Sequence, residues 1–428
     1  MQNRDVHSVV KLPPRATYQG AISIPASKSM QQRAFLLAAL SAHPVTVIGK
    51  IASADSLAAL SIIQEMGCRV EPGKDTYCIY PRTSPPTSFI RVSAGESGLC
   101  ARMFLPVLSA LYPEVTLTGT GSLKSRRLTS LIETMEQGGC LISHINSSIP
   151  IRVTGKIQPG KYDVSGKESS QIVSGLLLAL TQTPGDSRVI ISEMKSRPYV
   201  QMTLDMMKQG GLQVTQKESD VFFISGNQVP TAPLYEIEGD WSAASFHLVG
   251  AALSGSLCIK GLQPDSVQAD RAILQVLRES GAILEWKGHE LYVSKGDLHP
   301  FTFDASDCPD LFPPLAALAS GIKGRSFIRG VSRLANKESN RANSIQTEWG
   351  KLGIDVSISG DIMMISGGRV RGGVTESHGD HRIAMGLSIL STLAEDWVVI
   401  QGANAVEKSY AHFFSDLNDI FTNKLTYE

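Results

Sequence analysis

The sequence predicts an α/β protein built from six repeats of about 71 residues, shared three and three between two similar domains. Two observations carry this. Five amphipathic segments, LSIIQEMGCRV, LIETMEQGGCLI, LDMMKQGGLQV, LQVLRESGAIL and EWGKLGIDVSI, stop at Gly67, Gly139, Gly211, Gly281 and Gly353, with spacings of 72, 72, 70 and 72. Six small and apolar segments begin at Ser29, Ser97, Ser170, Ser242, Asp310 and Asp380, with spacings of 68, 73, 72, 68 and 70.

Each class of segment has a physical reading. Glycine ends a helix by taking a left-handed conformation that other residues resist, and the alternation of Ile354, Val356 and Ile358 then fits a strand. Serine and aspartate are favoured helix N-caps, and Ser29 with Gln32 has capping-box spacing. A helix that is apolar nearly all round belongs in a core. Each period therefore supplies one buried helix and one half-exposed helix, with strands between.

Three buried helices wrapped by sheets make a domain of about 210 residues, within the ordinary range. A boundary is expected within APLYEIEGDWS, around residues 232–240. A solenoid of six repeats is the alternative, although solenoid repeats are usually about 20 to 45 residues long.

Composition narrows the function. Of 428 residues, 42% are hydrophobic and 19% charged, with Lys+Arg and Asp+Glu equal at 40. This is a soluble globular composition, and its balance argues against a general nucleic-acid or anionic-membrane binder. The stretch MQNRDVHSVVKLPPR has no apolar core of signal-peptide length, and no run is long enough to span a bilayer, so a cytoplasmic protein is expected. Cys68, Cys78, Cys100, Cys140, Cys258 and Cys308 are scattered without a Cys-x-x-Cys pair, which reads as reduced, buried thiols.

Any anion site must then be local, and the starts of the apolar helices are where polar groups gather. Helix N-termini carry free N–H groups and partial positive charge. Lys28 and Arg33, Arg102, Ser169, Ser170 and Gln171, Asp240, Asp310, and Asp380 with His381 and Arg382 all fall there. NKESNR adds Lys337, Glu338 and Arg341 at the start of an amphipathic helix, and AVEKSYAHFF places Lys408 among apolar neighbours. Each has a bland reading as a cap or a solvated charge; together, in register with the repeat, they favour a shared site. No phosphate loop, dinucleotide fingerprint, nucleophile elbow or standard zinc spacing occurs, so neither a cofactor nor a metal is expected.

The motifs SKSMQQR, SSQIVSGLLLAL, SRPYVQMTLDMM, EGDWSAAS, PDLFPPLAALA, NKESNR and GDHRIAM, in this order and over nearly the whole chain, resemble the 5-enolpyruvylshikimate-3-phosphate synthase family. The resemblance implies the enolpyruvyl transferase fold: two domains, each of three βαβαββ units with buried helices enclosed by sheets. One domain would comprise 1–26 with 239–428 and the other 27–238, with the active site in the cleft between them. It implies transfer of the enolpyruvyl group of phosphoenolpyruvate to the 5-hydroxyl of shikimate 3-phosphate, with release of phosphate, in the pathway to chorismate and aromatic amino acids. The expected partners are those two small molecules, bound by a monomer that closes over them.

Matching motif to motif, Ser29 and Arg33 would hold the shikimate carboxylate, and Ser169, Ser170 and Ser196 its 3-phosphate. Lys337 would lie near the hydroxyls, with Gln171 and Tyr199 lining the ring. Lys28, Gly98, Arg126, Gln171, Arg341, Arg382 and Lys408 would surround phosphoenolpyruvate. Asp310 would take the 5-hydroxyl proton, and Glu338 and Lys28 would exchange protons with the methylene carbon. The chemistry fits: four anionic groups arrive on two substrates, arginine suits bidentate recognition of them, and the reaction needs acid and base groups whose protonation alternates.

The chain departs from the family pattern in places. Glu96 to Met103 replaces the usual Asn-Ala-Gly-Thr-Ala-x-Arg-Pro, keeping Gly98 and Arg102 but substituting Leu99 and Met103 for Thr and Pro. That bulk is expected to weaken inhibition by glyphosate. Asn340 stands for the usual Asp and Arg333 for a common Asn. UDP-N-acetylglucosamine enolpyruvyl transferase shares fold and donor, but usually has Lys-Asn at Lys28-Ser29 and a lid cysteine that GSLKSRRL lacks. A non-catalytic anion-binding protein on the same fold would need eroded catalytic positions.

Overall fold

The computed structural model describes residues 8–83 and 87–427; residues 1–7, part of the stretch read for a leader, lie outside the described residues. The chain divides into two compact units, Met1–Pro25 with Glu238–Glu428, and Ala26–Ile237. Its twelve α-helices, among the described residues, alternate in kind. The buried set is α1 (Lys28–Leu40), α3 (Gly98–Leu111), α5 (Ser170–Leu180), α7 (Trp241–Ser254), α9 (Phe312–Ser320) and α11 (His381–Leu390). Between them fall α2 (Ala54–Glu65), α4 (Thr129–Gln137), α6 (Arg197–Gln209), α8 (Ile273–Glu279), α10 (Arg341–Lys351) and α12 (Phe413–Ile420), each burying one face.

The periodic glycines do what their positions require. Gly67, Gly139, Gly211, Gly281 and Gly353 all have φ between 77° and 94°, and each is followed by an edge strand. Every residue of α3 and α9 is buried. Side chains such as Phe35, Phe104 and Phe246 are fully enclosed, each worth about 1.5–3 kcal/mol of transfer free energy.

Six four-stranded sheets, three per unit, enclose these helices among the described residues. One shows the plan. Phe89–Ser93 pairs parallel with Glu114–Thr118, which pairs antiparallel with Ser148–Thr154, itself antiparallel to Leu141–Ile145. The chain order is strand, α3, strand, α4, strand, strand, the βαβαββ unit.

At the unit boundary the pattern is exchanged. Ala21–Ser23, which precedes α1 in sequence, pairs parallel with Ser256–Lys260 after α7. Leu234–Glu236, which precedes α7, pairs parallel with Val45–Ile48 after α1. A last sheet is completed by the N-terminal strand Val9–Leu12, held between Val398–Gln401 and Thr426–Tyr427.

Several helix starts differ from the sequence reading. α1 has Ser27 at its cap position with no side-chain cap bond, so the Ser29–Gln32 capping box does not form. Gln32 instead donates to the Lys28 carbonyl at 3.4 Å and accepts from Ser97 Oγ at 3.0 Å. Ser169 caps α5 and Asp240 caps α7, each ahead of the residue expected. Asp310 lies in a 3-10 turn, Pro309–Leu311, before α9. The cysteines are all free, and Cys78 is only half-buried.

Candidate active site

In the unit containing Ala26–Ile237, the predicted residues Arg126 and Gln171 converge with Arg102 on Gly98, the first residue of α3. A Cβ there would sit 2.8 Å from Arg102 Nη1, 3.0 Å from Arg126 Nη1 and 3.9 Å from Gln171 Oε1. Two guanidinium groups can approach this backbone only because the side chain is absent. Carboxylates nearby oppose their charge: Arg102 Nη2 is 3.7 Å from Glu168, which also accepts from Ser130 Oγ at 2.5 Å. Glu96, at the position where family members have Asn, accepts from the backbone N–H and hydroxyl of Ser122, and Ser122 Oγ accepts from Arg126 at 3.3 Å. Arg102 falls in the register of buried helix starts, but the family motifs imply no role for it.

Lys28 opens α1 and meets Asp55 of α2 at 3.1 Å, both largely buried. Asp55 escaped the sequence reading because it looks like an ordinary first-turn acid. Arg33, 1% exposed, donates to the Ser29 carbonyl at 2.7 Å, to Thr203 Oγ1 at 2.7 Å and to the Tyr199 carbonyl at 3.2 Å. Burial pushes its guanidinium down to about 10. Arg33 thus places two donors on α6 and one on its own helix α1, holding the backbone carbonyls of Tyr199 and Ser29.

Ser169 and Ser170 stand at the N-terminus of α5, where Ser169 Oγ accepts from Gln171 N at 3.2 Å. Ser196 occupies the N-terminus of α6 with φ of 53°, a left-handed conformation that is uncommon for serine, and is 4% exposed. Two helix N-termini presenting hydroxyls suit an oxyanion.

The other unit holds a denser network. Asp310 Oδ1 accepts from Lys337 Nζ at 3.1 Å and Arg341 Nη1 at 2.8 Å, and Oδ2 accepts from Arg382 Nη2 at 2.8 Å. Arg341 also donates to Glu338 at 2.8 Å and to both oxygens of Asp380 at 3.0 and 3.3 Å. Asp380 caps α11 through Arg382 N at 3.0 Å, so one carboxylate orders both arginines.

Burial alone would raise the Asp310 carboxyl, but Arg382, Lys337 and Arg341 outweigh it and hold the group well below the usual carboxylate range. Burial lowers Lys337, partly offset by Asp310. A further carboxyl, Asp270, is pushed up to about 7 by burial and then by Asp310. Arg333, where the family commonly has Asn, lies within electrostatic reach of Asp307 and Asp310. Lys408 ends the 3-10 segment Ala403–Lys408, which packs on α11, and is 8% exposed.

Lys28, Lys337, Arg341 and Arg382 are thus already paired with protein carboxylates. An anion arriving at these cations would compete with the Asp310 and Glu338 carboxylates. No group of His, Cys, Asp and Glu suited to hold a metal occurs among the described residues, and no helix there is long and apolar enough to cross a membrane.

The family model described as EPSP synthase (3-phosphoshikimate 1-carboxyvinyltransferase) matches residues 13–417. The 3-phosphoshikimate 1-carboxyvinyltransferase of Clostridium novyi is 34% identical over 412 residues, covering 94% of this chain and 95% of that one. The protein of the same name from Clostridium acetobutylicum is 35% identical over 408 residues, with the same coverage. Among solved structures, EPSP synthase from Acinetobacter baumannii superposes with a TM-score of 0.81 at 24% identity, covering 98% of this chain and 99% of that one. The enolpyruvyl transferase NikO from Streptomyces tendae gives 0.77 at 15% identity over the same shares, so the fold is the two-domain enolpyruvyl transferase fold. By the extent of the family match and the identity to these relatives, the chain belongs to the EPSP synthase (3-phosphoshikimate 1-carboxyvinyltransferase) family.

Proposed function

We propose that this chain transfers the enolpyruvyl group of phosphoenolpyruvate to the 5-hydroxyl of shikimate 3-phosphate. The observation that carries the reading is the Asp310 carboxylate gripped by Lys337, Arg341 and Arg382, with Glu338 on the same arginine. A base and an acid are assembled there beside cations that two anionic substrates need. In the addition step the 5-hydroxyl oxygen bonds to C2 of phosphoenolpyruvate, Asp310 takes the hydroxyl proton, and the methylene carbon receives a proton from Glu338 or Lys28. In the elimination step the resulting methyl gives a proton back, the C2–O bond to phosphate breaks, and inorganic phosphate leaves.

Ser169, Ser170 and Ser196 bind the 3-phosphate, Ser29 the carboxylate with Arg33 as its brace, and Gln171, Tyr199 and Lys337 the ring and its hydroxyls. Gly98, Arg126, Arg341, Arg382, Lys408 and Lys28 receive phosphoenolpyruvate, and Arg102 joins them through its place at Gly98. The enzyme works as a cytoplasmic monomer without a cofactor. Phosphate release from phosphoenolpyruvate, assayed with shikimate 3-phosphate and separately with UDP-N-acetylglucosamine, tests the reading. Release with the shikimate ester alone supports it; release with the sugar nucleotide alone, or with neither from folded protein, overturns it.

A further inference from the structure

The loop that delivers Asp380 and Arg382 to the network is tied down by residues to which no role has yet been given. Glu348, on α10, is completely buried, yet its carboxylate is fully engaged. Lys351 Nζ lies 2.9 Å from both oxygens, the backbone N–H of Glu376 donates to Oε2 at 2.9 Å, and His378 Nε2 lies 2.7 Å from Oε1. Against a carboxylate the His378 ring nitrogen is the donor. His378 and Gly379 both take left-handed conformations, with φ of 54° and 66°, so the chain turns sharply between Glu376 and the Asp380 cap.

The same turn is held from its other side. Ser377 Oγ donates to the Gly402 carbonyl at 2.8 Å and accepts from Gly379 N at 3.1 Å, while Glu376 Oε1 accepts from His378 N at 3.2 Å. Three elements meet in this knot: α10, which starts at Arg341; α11, which starts just after Asp380 and carries Arg382; and the segment after Gly402, which ends at Lys408.

We propose that His378, through its hydrogen bond to buried Glu348, is a positioning residue that sets the spacing of Arg341, Arg382 and Lys408 for phosphoenolpyruvate. This rests on the function proposed above. Ser29, Ser169, Ser170 and Ser196 belong to the other unit, and of the shikimate 3-phosphate set only Lys337 lies in this one, so the knot acts on phosphoenolpyruvate more than on the other substrate. A histidine that only neutralised Glu348 would change stability and leave the two substrates' KM values in proportion. A clamp on the turn moves the phosphoenolpyruvate KM.

The test is steady-state phosphate release by the full chain, varying each substrate in turn, for wild type, His378→Ala and His378→Gln, with Tm measured for each. Glutamine places its amide N–H near the position of imidazole Nε2. For His378→Ala the phosphoenolpyruvate KM is expected to rise about tenfold, the equivalent of about 1.4 kcal/mol. The shikimate 3-phosphate KM and kcat are expected to stay within about twofold, and His378→Gln to recover most of the loss. An unchanged phosphoenolpyruvate KM, an equal rise in both KM values, or a fall in Tm without the split overturns the inference. A wild type that releases no phosphate from the two substrates overturns the function and this inference together.

Discussion

Arg341 and Asp380 form an ion pair with no solvent exposure on either side, Nε to Oδ2 at 3.0 Å. Its partner atoms join the N-termini of α10 and α11. Breaking a buried pair from one side costs about 3–5 kcal/mol because the other charge is stranded. Arg341 retains Asp310 and Glu338, so Asp380→Ala is expected to cost about 3 kcal/mol, at the low end of that range. Urea denaturation followed by fluorescence checks this; a loss below about 1 kcal/mol would show that the remaining carboxylates suffice.

The depressed Asp310 carboxyl makes a statement about pH. A group lowered in the folded state adds stability above its unfolded value, near pH 4, and that stability is lost as pH falls through the folded value. In the free enzyme it stays ionised through the neutral range. If the substrates bind as proposed, anions that draw off Lys337, Arg341 and Arg382 would raise it toward the ordinary range, where it is a better base. The acid limb of kcat is therefore expected at higher pH than that of kcat/KM, which reports the free enzyme. Coincident limbs in the two profiles would contradict the exchange of partners.

Two glycines predict opposite phenotypes. At Gly98 an added Cβ meets the ends of two arginine side chains, which can move. Gly98→Ala is expected to leave Tm within a few degrees and raise the phosphoenolpyruvate KM about tenfold. At Gly175 the Cβ meets the backbone of α3, 2.4 Å from the Arg102 carbonyl oxygen and 2.8 Å from Met103 Cα. Gly175→Ala is expected to cost about 1–3 kcal/mol by forcing α5 off α3. Thermal unfolding and KM together separate the two effects.

His247 is buried on α7 among Tyr18, Tyr410 and Phe413, and burial holds its imidazole down to about 3. The unfolded chain takes up this proton below about pH 6.5 and the folded chain does not, so stability falls as pH drops from there toward 3. Relative to His247→Leu, wild type is expected to lose about 2 kcal/mol between pH 7 and pH 5. Parallel pH dependence in the two proteins would refute a neutral buried imidazole.

Leu99 is 7% exposed and Met103 fully buried, both on α3 beside Gly98. Glyphosate is expected to inhibit this enzyme less than family members with Thr and Pro at those positions. Leu99→Thr with Met103→Pro is expected to increase sensitivity. Equal inhibition of wild type and the double variant would remove these residues as the cause.

Local signals were legible in the sequence and partner choice was not. The helix stops at Gly67 and its four counterparts are backbone properties that single residues announce. So is the Asp380 cap. The starts of α1, α5 and α7 were misplaced by one or two residues because Ser27, Ser169 and Asp240 stand just ahead of the serines expected. Nothing local links Lys28 to Asp55, or Glu348 to His378; both depend on how helices and turns pack. The exchanged strands Ala21–Ser23 and Leu234–Glu236 are equally invisible, since a period in sequence does not say which sheet a boundary strand joins.

The sheet that holds Val9–Leu12 has a consequence for biosynthesis. That strand leaves the ribosome long before its partners, Val398–Gln401 and Thr426–Tyr427, are made. The Ala26–Ile237 unit, by contrast, is complete in its own strands once residue 237 has emerged. Translation therefore favours an inserted body that matures first, while the Val9–Leu12 strand waits unpaired for about 400 residues of synthesis, roughly 20 to 80 seconds at about 5 to 20 residues per second. Its exposed backbone edge over that interval is where a nascent-chain chaperone has most to protect.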